Sequence, residues 1–436
     1  MGDPAIGDRA SHRGPGRPPE AGRRPARRAR PARAGSGRRG TGLVPVAAAS
    51  ALFVSACGAP SGHSAAPVSA GAVPDKPSKP VTLNILDVAG NLQLTQGMLD
   101  DFVKQHSDIV SKITTSTGKA PDLAGKVKAQ EDAGRLDIDV VLTGTDGLSA
   151  GIAQNLWTKM TPDFSTRLSN MGNYTDPAVK MQELAQGYGV ELVEYPSGPL
   201  LEYNPAKVTD PPTSTDELLT WCKAHPGRFQ YAVPENSGPG RTFLMGLPYI
   251  LGDSDPKNPT TGWDRTWAYL KELGQCSAPY ESGTANTMTN LAKGTVDMIA
   301  STTGWDINPR VLGTVPDDEK ITTLKGFHWV TDAQYAVVPK GIDKDKLSAI
   351  LNLLQFMLTP QQQAIAYDKG YFYPGPAVNG VTLSMAPQSS QDALNKYGRS
   401  EYDSLIADNP QETSLPADQQ VAAFAKWDSE IGAAKK

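Results

Sequence analysis

Apolar positions along the chain follow two periods that take turns. Residues 81–88, VTLNILDV, read as a strand, followed by Gly90 and Asn91 in a loop. In 94–106, LTQGMLDDFVKQH, Leu94, Met98, Phe102 and Val103 gather on one side of a helix. Residues 138–142, IDVVL, form a short buried-strand run that ends in Thr143-Gly144-Thr145-Asp146-Gly147. Further on, 213–225 opens with Thr215, Asp216 and Glu217 ahead of the helical LLTWCKAH. Residues 229–233 read as a strand, and 236–241, NSGPGR, as a glycine-rich turn into the apolar FLMGLPYIL. The clearest helix spans 347–358, where Leu347, Ile350, Leu351, Leu354 and Leu358 recur at helical spacing. Thr359, Pro360 and Gln362 then offer a cap, a first-turn proline and a capping-box partner. There is no internal repeat and no coiled-coil heptad.

Strands that alternate with helices predict α/β layers. The folded body from Val81 onward has roughly 355 residues, more than one core serves, so two lobes are expected. In such sheets ligands lie at the carboxyl ends of strands, which makes the loops 89–91 and 143–147 site candidates. Their chemistry-bearing residues are Asn91, Thr143, Thr145 and Asp146.

Composition changes the picture at the start of the chain. Residues 1–40 hold 11 Arg and three acids, and 42–56, GLVPVAAASALFVSA, are apolar and small. Basic, then apolar, then small is the order of an export signal. Val54-Ser55-Ala56-Cys57 resembles the bacterial lipobox, which implies cleavage before Cys57 and lipid on its thiol. Residues 58–80 are rich in Gly, Ala, Ser and Pro and read as a flexible tether. The whole chain has 42 basic and 46 acidic residues, of which 11 and 3 precede Cys57. The mature chain therefore carries 31 against 43, a net charge of −12. That balance excludes a general nucleic-acid binder. Cys222 and Cys276 remain; in an exported protein they pair as a disulfide, or else stay as two buried thiols.

Four segments resemble the extracellular solute-binding proteins of ABC importers, above all the branch of spermidine/putrescine-, thiamine- and iron-binding receptors. They are VTLNILDVAGNLQLTQGMLDDFVKQH, LAKGTVDMIASTTGWD at 291–306, GFHWVTDAQYAVVPKG at 326–341, and FMLTPQQQAIAYDKGYFYPGP at 356–376. The resemblance implies the two-lobed type II periplasmic-binding-protein fold, its α/β lobes joined by crossing strands. The first lobe would take 81–198 and 327–376, the second 199–326, and a C-terminal helical region, 377–436, would pack on both. The first crossing would fall in 191–203, ELVEYPSGPLLEY, which adds Ser197 to the candidates. The implied role is a lipid-anchored, monomeric receptor outside the cell membrane that passes a small polar solute to permease and ATPase partners without a cofactor. A structural or signalling lipoprotein on the same fold, a ferric-ion receptor or a secreted hydrolase are the alternatives.

Trp305 and Asp306 stand where polyamine-binding relatives place a ligand-lining aromatic, and a tryptophan face stacks on a cation or an apolar skeleton. Trp329 and Asp332 match an aromatic and an acid of those relatives with a one-residue adjustment. Ser237, Gly240 and Arg241 point the other way. A helix start with an arginine attracts an oxyanion, unless Arg241 braces Glu235. Tyr373 closes the set; with Tyr371 it raises iron, but Phe372 intervenes and the two rings would diverge in an extended segment. The histidines and cysteines lack metal spacing. No Gly-x-Ser-x-Gly, His-Glu-x-x-His, Walker or dinucleotide motif occurs, so an enzyme is not expected.

Overall fold

The computed structural model describes residues 69–435. Cys57, the export segment before it and the first part of the tether lie outside the described residues. In chain order, β1 (Val81–Asp87), α1 (Leu92–Gln105), β2 (Val110–Thr117), α2 (Ala120–Asp132), β3 (Val140–Thr143), α3 (Thr145–Ala153), α4 (Asp176–Leu184) and β4 (Gly189–Gly198) come first. Next are β5 (Leu200–Tyr203), α5 (Thr215–Ala224), β6 (Phe229–Gln230), α6 (Gly238–Leu251), α7 (Asp264–Cys276), α8 (Thr284–Ala292), β7 (Met298–Ser301), α9 (Asn308–Val311) and β8 (Lys320–Thr322). The chain then returns through β9 (Trp329–Val337), α10 (Lys344–Met357), α11 (Pro360–Gln363), β10 (Gly375–Pro376), α12 (Gln388–Tyr397), α13 (Glu401–Asp408), β11 (Gln411–Thr413) and α14 (Ala417–Glu430).

These strands make two sheets. The first runs β10-β4-β9-β3-β1-β2, with β11 added to β9; the second runs β6-β7-β5-β8. β1 pairs in parallel with both β2 and β3, as helical crossovers require. β9 runs antiparallel to β3 and β4. The chain passes from the first sheet to the second between Gly198 and Leu200, and it returns between Thr322 and Trp329. β3 and β9 are buried along their whole length, the condition of strands covered on both faces. Asp332 and Gln334 interrupt the apolar run of β9, and buried polar groups need partners. Asp332 finds its partners at the site described below, whereas the Gln334 Oε1 has none within the protein.

α10 follows the predicted pattern: Leu347, Ile350, Leu351 and Leu354 are buried, and Asp343 caps the helix through the Asp345 and Lys346 amides. Thr359 does not cap the next helix. Its hydroxyl donates to the Phe356 carbonyl instead, and α11 is a single turn. β6 has two residues rather than five, with Ala232 beyond it making only an isolated bridge to Glu281. The expected glycine-rich turn at 236–241 is largely absorbed into α6, with Ser237 as the cap accepting from the Gly240 amide. Glycine is required at 240, since a Cβ there would lie 2.2 Å from the Ala232 carbonyl oxygen. The tether is shorter than expected. From Val73 the chain packs on the first-sheet body, with Arg167 donating to the Pro74 and Asp75 carbonyls.

Cys222 and Cys276 are joined in a disulfide that ties α5 to the end of α7 across 54 residues of chain. Closing a loop of that size restricts the unfolded chain, so Cys222→Ser with Cys276→Ser should lower stability by about 2–4 kcal/mol. Denaturant unfolding of the oxidised protein and the double variant checks this; equal midpoints would refute it.

Candidate functional site

The end of β3, the start of α3, the crossing strands and the starts of α6 and α8 meet around a cavity of about 300 Å³. One wall comes from the first sheet and the chain that follows it: Ala89, Gly144, Asp146, Tyr195, Gln334, Tyr371 and Phe372. The facing wall comes from the second: Asn236, Ser237, Arg241, Ser282 to Asn286, and Trp305. Three helix N-termini therefore open on the cavity. α6 is capped by Ser237, whereas Gly144 and Gly283 leave α3 and α8 without a side-chain cap. Such ends present free amides and the positive pole of a helix dipole.

Arg241 joins the walls. It is 3% exposed, and from α6 its Nη2 donates to Asp332 Oδ2 on β9 at 2.6 Å. Its Nη1 donates to Asp146 Oδ2 on α3 at 3.1 Å. Burial works against the charged guanidinium, but Asp332 and Asp146 outweigh it and hold Arg241 charged, above its usual range. The Tyr195 hydroxyl donates to Asp332 Oδ2 at 3.1 Å and the Thr145 hydroxyl to Asp332 Oδ1 at 3.2 Å. Burial and the neighbouring Asp332 carboxylate push the Tyr195 phenol well above its ordinary range, so it stays a donor. Phe372 stacks on the Tyr195 ring at 4.7 Å, and Tyr371 packs on Trp305 at 5.2 Å. A glycine at 304, φ +95°, permits this meeting: a Cβ there would stand 2.3 Å from the Tyr371 carbonyl oxygen. The arrangement offers an aromatic face, a charged guanidinium paired with two carboxylates and a mixed set of donors and acceptors, which suits holding a polar solute.

The sequence candidates divide. Asp146, Ser237, Arg241 and Trp305 line the cavity. Asp332 and Thr145 lie directly behind Arg241. Asn91, Thr143 and Ser197 are buried, and their side-chain polar atoms have no hydrogen-bond partner within the protein. Glu235 is exposed and outside the lining, and Arg241 does not brace it; desolvation, Asp146 and Asp428 raise its pKa. Asp306 faces away from the cavity and holds Arg399, Arg310 and the Tyr402 hydroxyl. Trp329 is fully buried and donates to the Leu405 carbonyl at 2.9 Å. Tyr373 stacks on Tyr402, while Tyr371, two residues earlier, reaches the cavity. The sequence reading missed Tyr195, Gln334, Phe372 and the start of α8. Gln334 was within reach of it, since a strand places residue i+2 on the same face as Asp332. Among the described residues no group of three or more His, Cys, Asp or Glu is placed to hold a metal ion.

Four glutamates outside the lining are buried with unpartnered oxygens: Glu191, Glu194, Glu202 and Glu319. Burial raises Glu194 and Glu202 to about 8 and Glu319 to about 7, and it drives Glu191 well above its usual range. Their folded-state pKa values exceed the unfolded value of 4.5. The stability they contribute is thus complete below that pH and lost as pH rises through about 7 to 8, by up to ~1.4 kcal/mol per unit for each group. Melting temperature should fall between about pH 5 and pH 8, the interval between the unfolded and folded values, and Glu202→Gln should flatten part of the fall. A melting temperature that climbs over this window contradicts the assignment.

Comparison with known proteins places the architecture. No curated protein matches this sequence. An ABC transporter structure from Clostridium perfringens superposes with a TM-score of 0.60 at 12% identity, covering 81% of this chain and 100% of the other. The periplasmic binding protein AfuA from Actinobacillus pleuropneumoniae, solved with fructose-6-phosphate bound, gives 0.57 at 16% identity over 80% and 98%. The spermidine/putrescine transporter substrate-binding protein PotD from Streptococcus pneumoniae gives 0.56 at 12% identity over 82% and 100%. At these identities the likeness speaks for the fold. The family model for bacterial extracellular solute-binding proteins matches residues 97–397, most of the chain. The chain belongs to the bacterial extracellular solute-binding protein family.

Proposed function

We propose that this protein is the exported, lipid-anchored receptor of an ABC importer, which captures a small polar solute between its two lobes and hands it to a membrane permease. The observation that carries the reading is the cavity at the strand ends, with walls from both sheets and Arg241 bonded across it. Its first lobe is built on 81–198 and the returning strand, its second on 199–326, and it works as a monomer. Relatives of the same fold are described as binding a sugar phosphate or as serving polyamine transport. The solute here bears an amine, an oxyanion or both: Asp146 serves the first, the uncapped α8 start the second. Transport energy comes from ATPase partners, and the receptor carries out no chemistry itself. The disulfide accords with an oxidising compartment outside the cytoplasm.

A thermal-shift screen of polyamines, sugar phosphates, thiamine compounds and ferric ion tests the reading, because a solute that binds only the folded state raises its melting temperature. Stabilisation by a solute, lost in Trp305→Ala, is expected; stabilisation indifferent to Trp305 would place binding elsewhere. Anchoring has its own test. Mass spectrometry of membrane-extracted protein should find Cys57 N-terminal and acylated, and Cys57→Ala should leave the membrane or keep its signal. An unacylated chain beginning at Met1 would refute the anchor.

A further inference from the structure

Gln334 lies on β9 two residues beyond Asp332, is 2% exposed and lines the cavity. Its Oε1 is buried without a hydrogen-bond partner. What its amide presents to a solute depends on which way it is turned, and a chain of contacts behind it decides that. Arg241 fixes Asp332, and Asp332 accepts the Tyr195 hydroxyl proton. The Tyr195 oxygen, with its proton so committed, can only accept from its other neighbour. Gln334 is the nearby side chain: β9 carries it two residues from the Asp332 that faces Tyr195 across the ladder, and Gln334 and Tyr195 line the same cavity. It lowers the Tyr195 phenol's pKa, the effect of a donor that stabilises the phenolate. The Gln334 Nε2 therefore turns toward Tyr195 and the Oε1 is left as an acceptor.

Resting on the receptor reading above, we propose that Gln334 is a specificity-determining contact whose Oε1 selects solutes with an N–H or O–H donor, and that Tyr195 is the positioning residue that sets its orientation. Asp146, a second acceptor in the same lining, reinforces this preference, since its carboxylate also serves a donor. An ammonium and a hydroxyl satisfy the same requirement. A solute that offers only acceptors would leave the Gln334 carbonyl buried and unpaired, the arrangement binding sites reject most strongly.

Calorimetry and thermal shift on the full mature chain separate the outcomes, with putrescine and spermidine as ammonium probes, sorbitol and glucose as hydroxyl probes, and sulfate as the acceptor-only probe. Donor-bearing probes should bind and sulfate should not. Gln334→Leu, which keeps side-chain volume, should weaken the best probe tenfold or more. Gln334→Glu should retain it and tighten ammonium probes relative to hydroxyl probes. Tyr195→Phe keeps the Phe372 stack but frees the amide to turn, so discrimination against sulfate should shrink while folding persists. Binding that depends on Trp305 yet ignores Gln334→Leu overturns the proposal and leaves the receptor reading standing. Sulfate binding more tightly than every donor probe, or no response to any donor probe, also overturns it. Binding that ignores both Trp305→Ala and Gln334→Leu defeats the receptor site itself.

Discussion

Arg241→Ala should destabilise the protein by about 3–5 kcal/mol, the usual cost of leaving the other members of a buried ion pair uncompensated. The loss falls on Asp332, which is 0% exposed and would keep only the Tyr195 and Thr145 hydroxyls and the Ala333 amide as donors. Because Arg241 sits on α6 and both carboxylates belong to first-sheet elements, the same change removes bonds that hold the lobes together. Scattering should therefore show a larger radius of gyration in solute-free Arg241→Ala. Asp332→Asn, which removes the charge but keeps the shape, should partly rescue the alanine variant, and a double-mutant cycle reads the coupling directly. An unchanged melting temperature in Arg241→Ala would mean that the two ion pairs contribute nothing to the fold.

The second large effect is expected at Asp306. Its carboxylate is fully buried, accepts from the Gly304 amide at 3.1 Å and is engaged by Arg399, Arg310 and the Tyr402 hydroxyl. Arg399 and Tyr402 belong to the C-terminal region, so this network pins that region to the second lobe. Asp306→Ala strands two mostly buried arginines and should cost about 3–5 kcal/mol. Asp306→Asn keeps an acceptor for Tyr402 and Gly304 and should cost less. In folded Asp306→Asn, solute affinity should stay within about twofold, since the residue lies outside the cavity lining. Full stability with a large loss of affinity would instead make Asp306 a solute contact.

Asp306 also shows where the sequence stopped being legible. Trp305 and Asp306 are adjacent at the exit of β7, and nothing in the order of residues says which one turns inward. That is set by the positive-φ turn at Gly304 and by two arginines, one 93 residues away. Trp329 presents the same difficulty: beside the neighbouring Phe327, its burial needs the later arrival of Tyr402 and the Leu405 carbonyl around it. Arg241 could be singled out from the glycine-rich helix start, but its partners come from a helix and a strand 95 and 91 residues away. The periodic segments fared better, because burial of one face is written locally. β1, α1 and β3 stand within two residues of their sequence bounds, and α10 starts three residues earlier than its leucine pattern. The second-lobe crossing at Gly198–Leu200 falls inside the segment the family resemblance assigned to it.

If the protein works as a receptor, a solute sits between its lobes against Trp305. Isothermal titration of the best solute from the thermal screen into wild type and Trp305→Ala, with folding of both verified first, tests it most directly. One site per chain is expected in wild type, with an affinity roughly fivefold to thirtyfold weaker in Trp305→Ala, since an aromatic face against a desolvated bound solute is worth about 1–2 kcal/mol. Equal affinity and stoichiometry in the two proteins would contradict it.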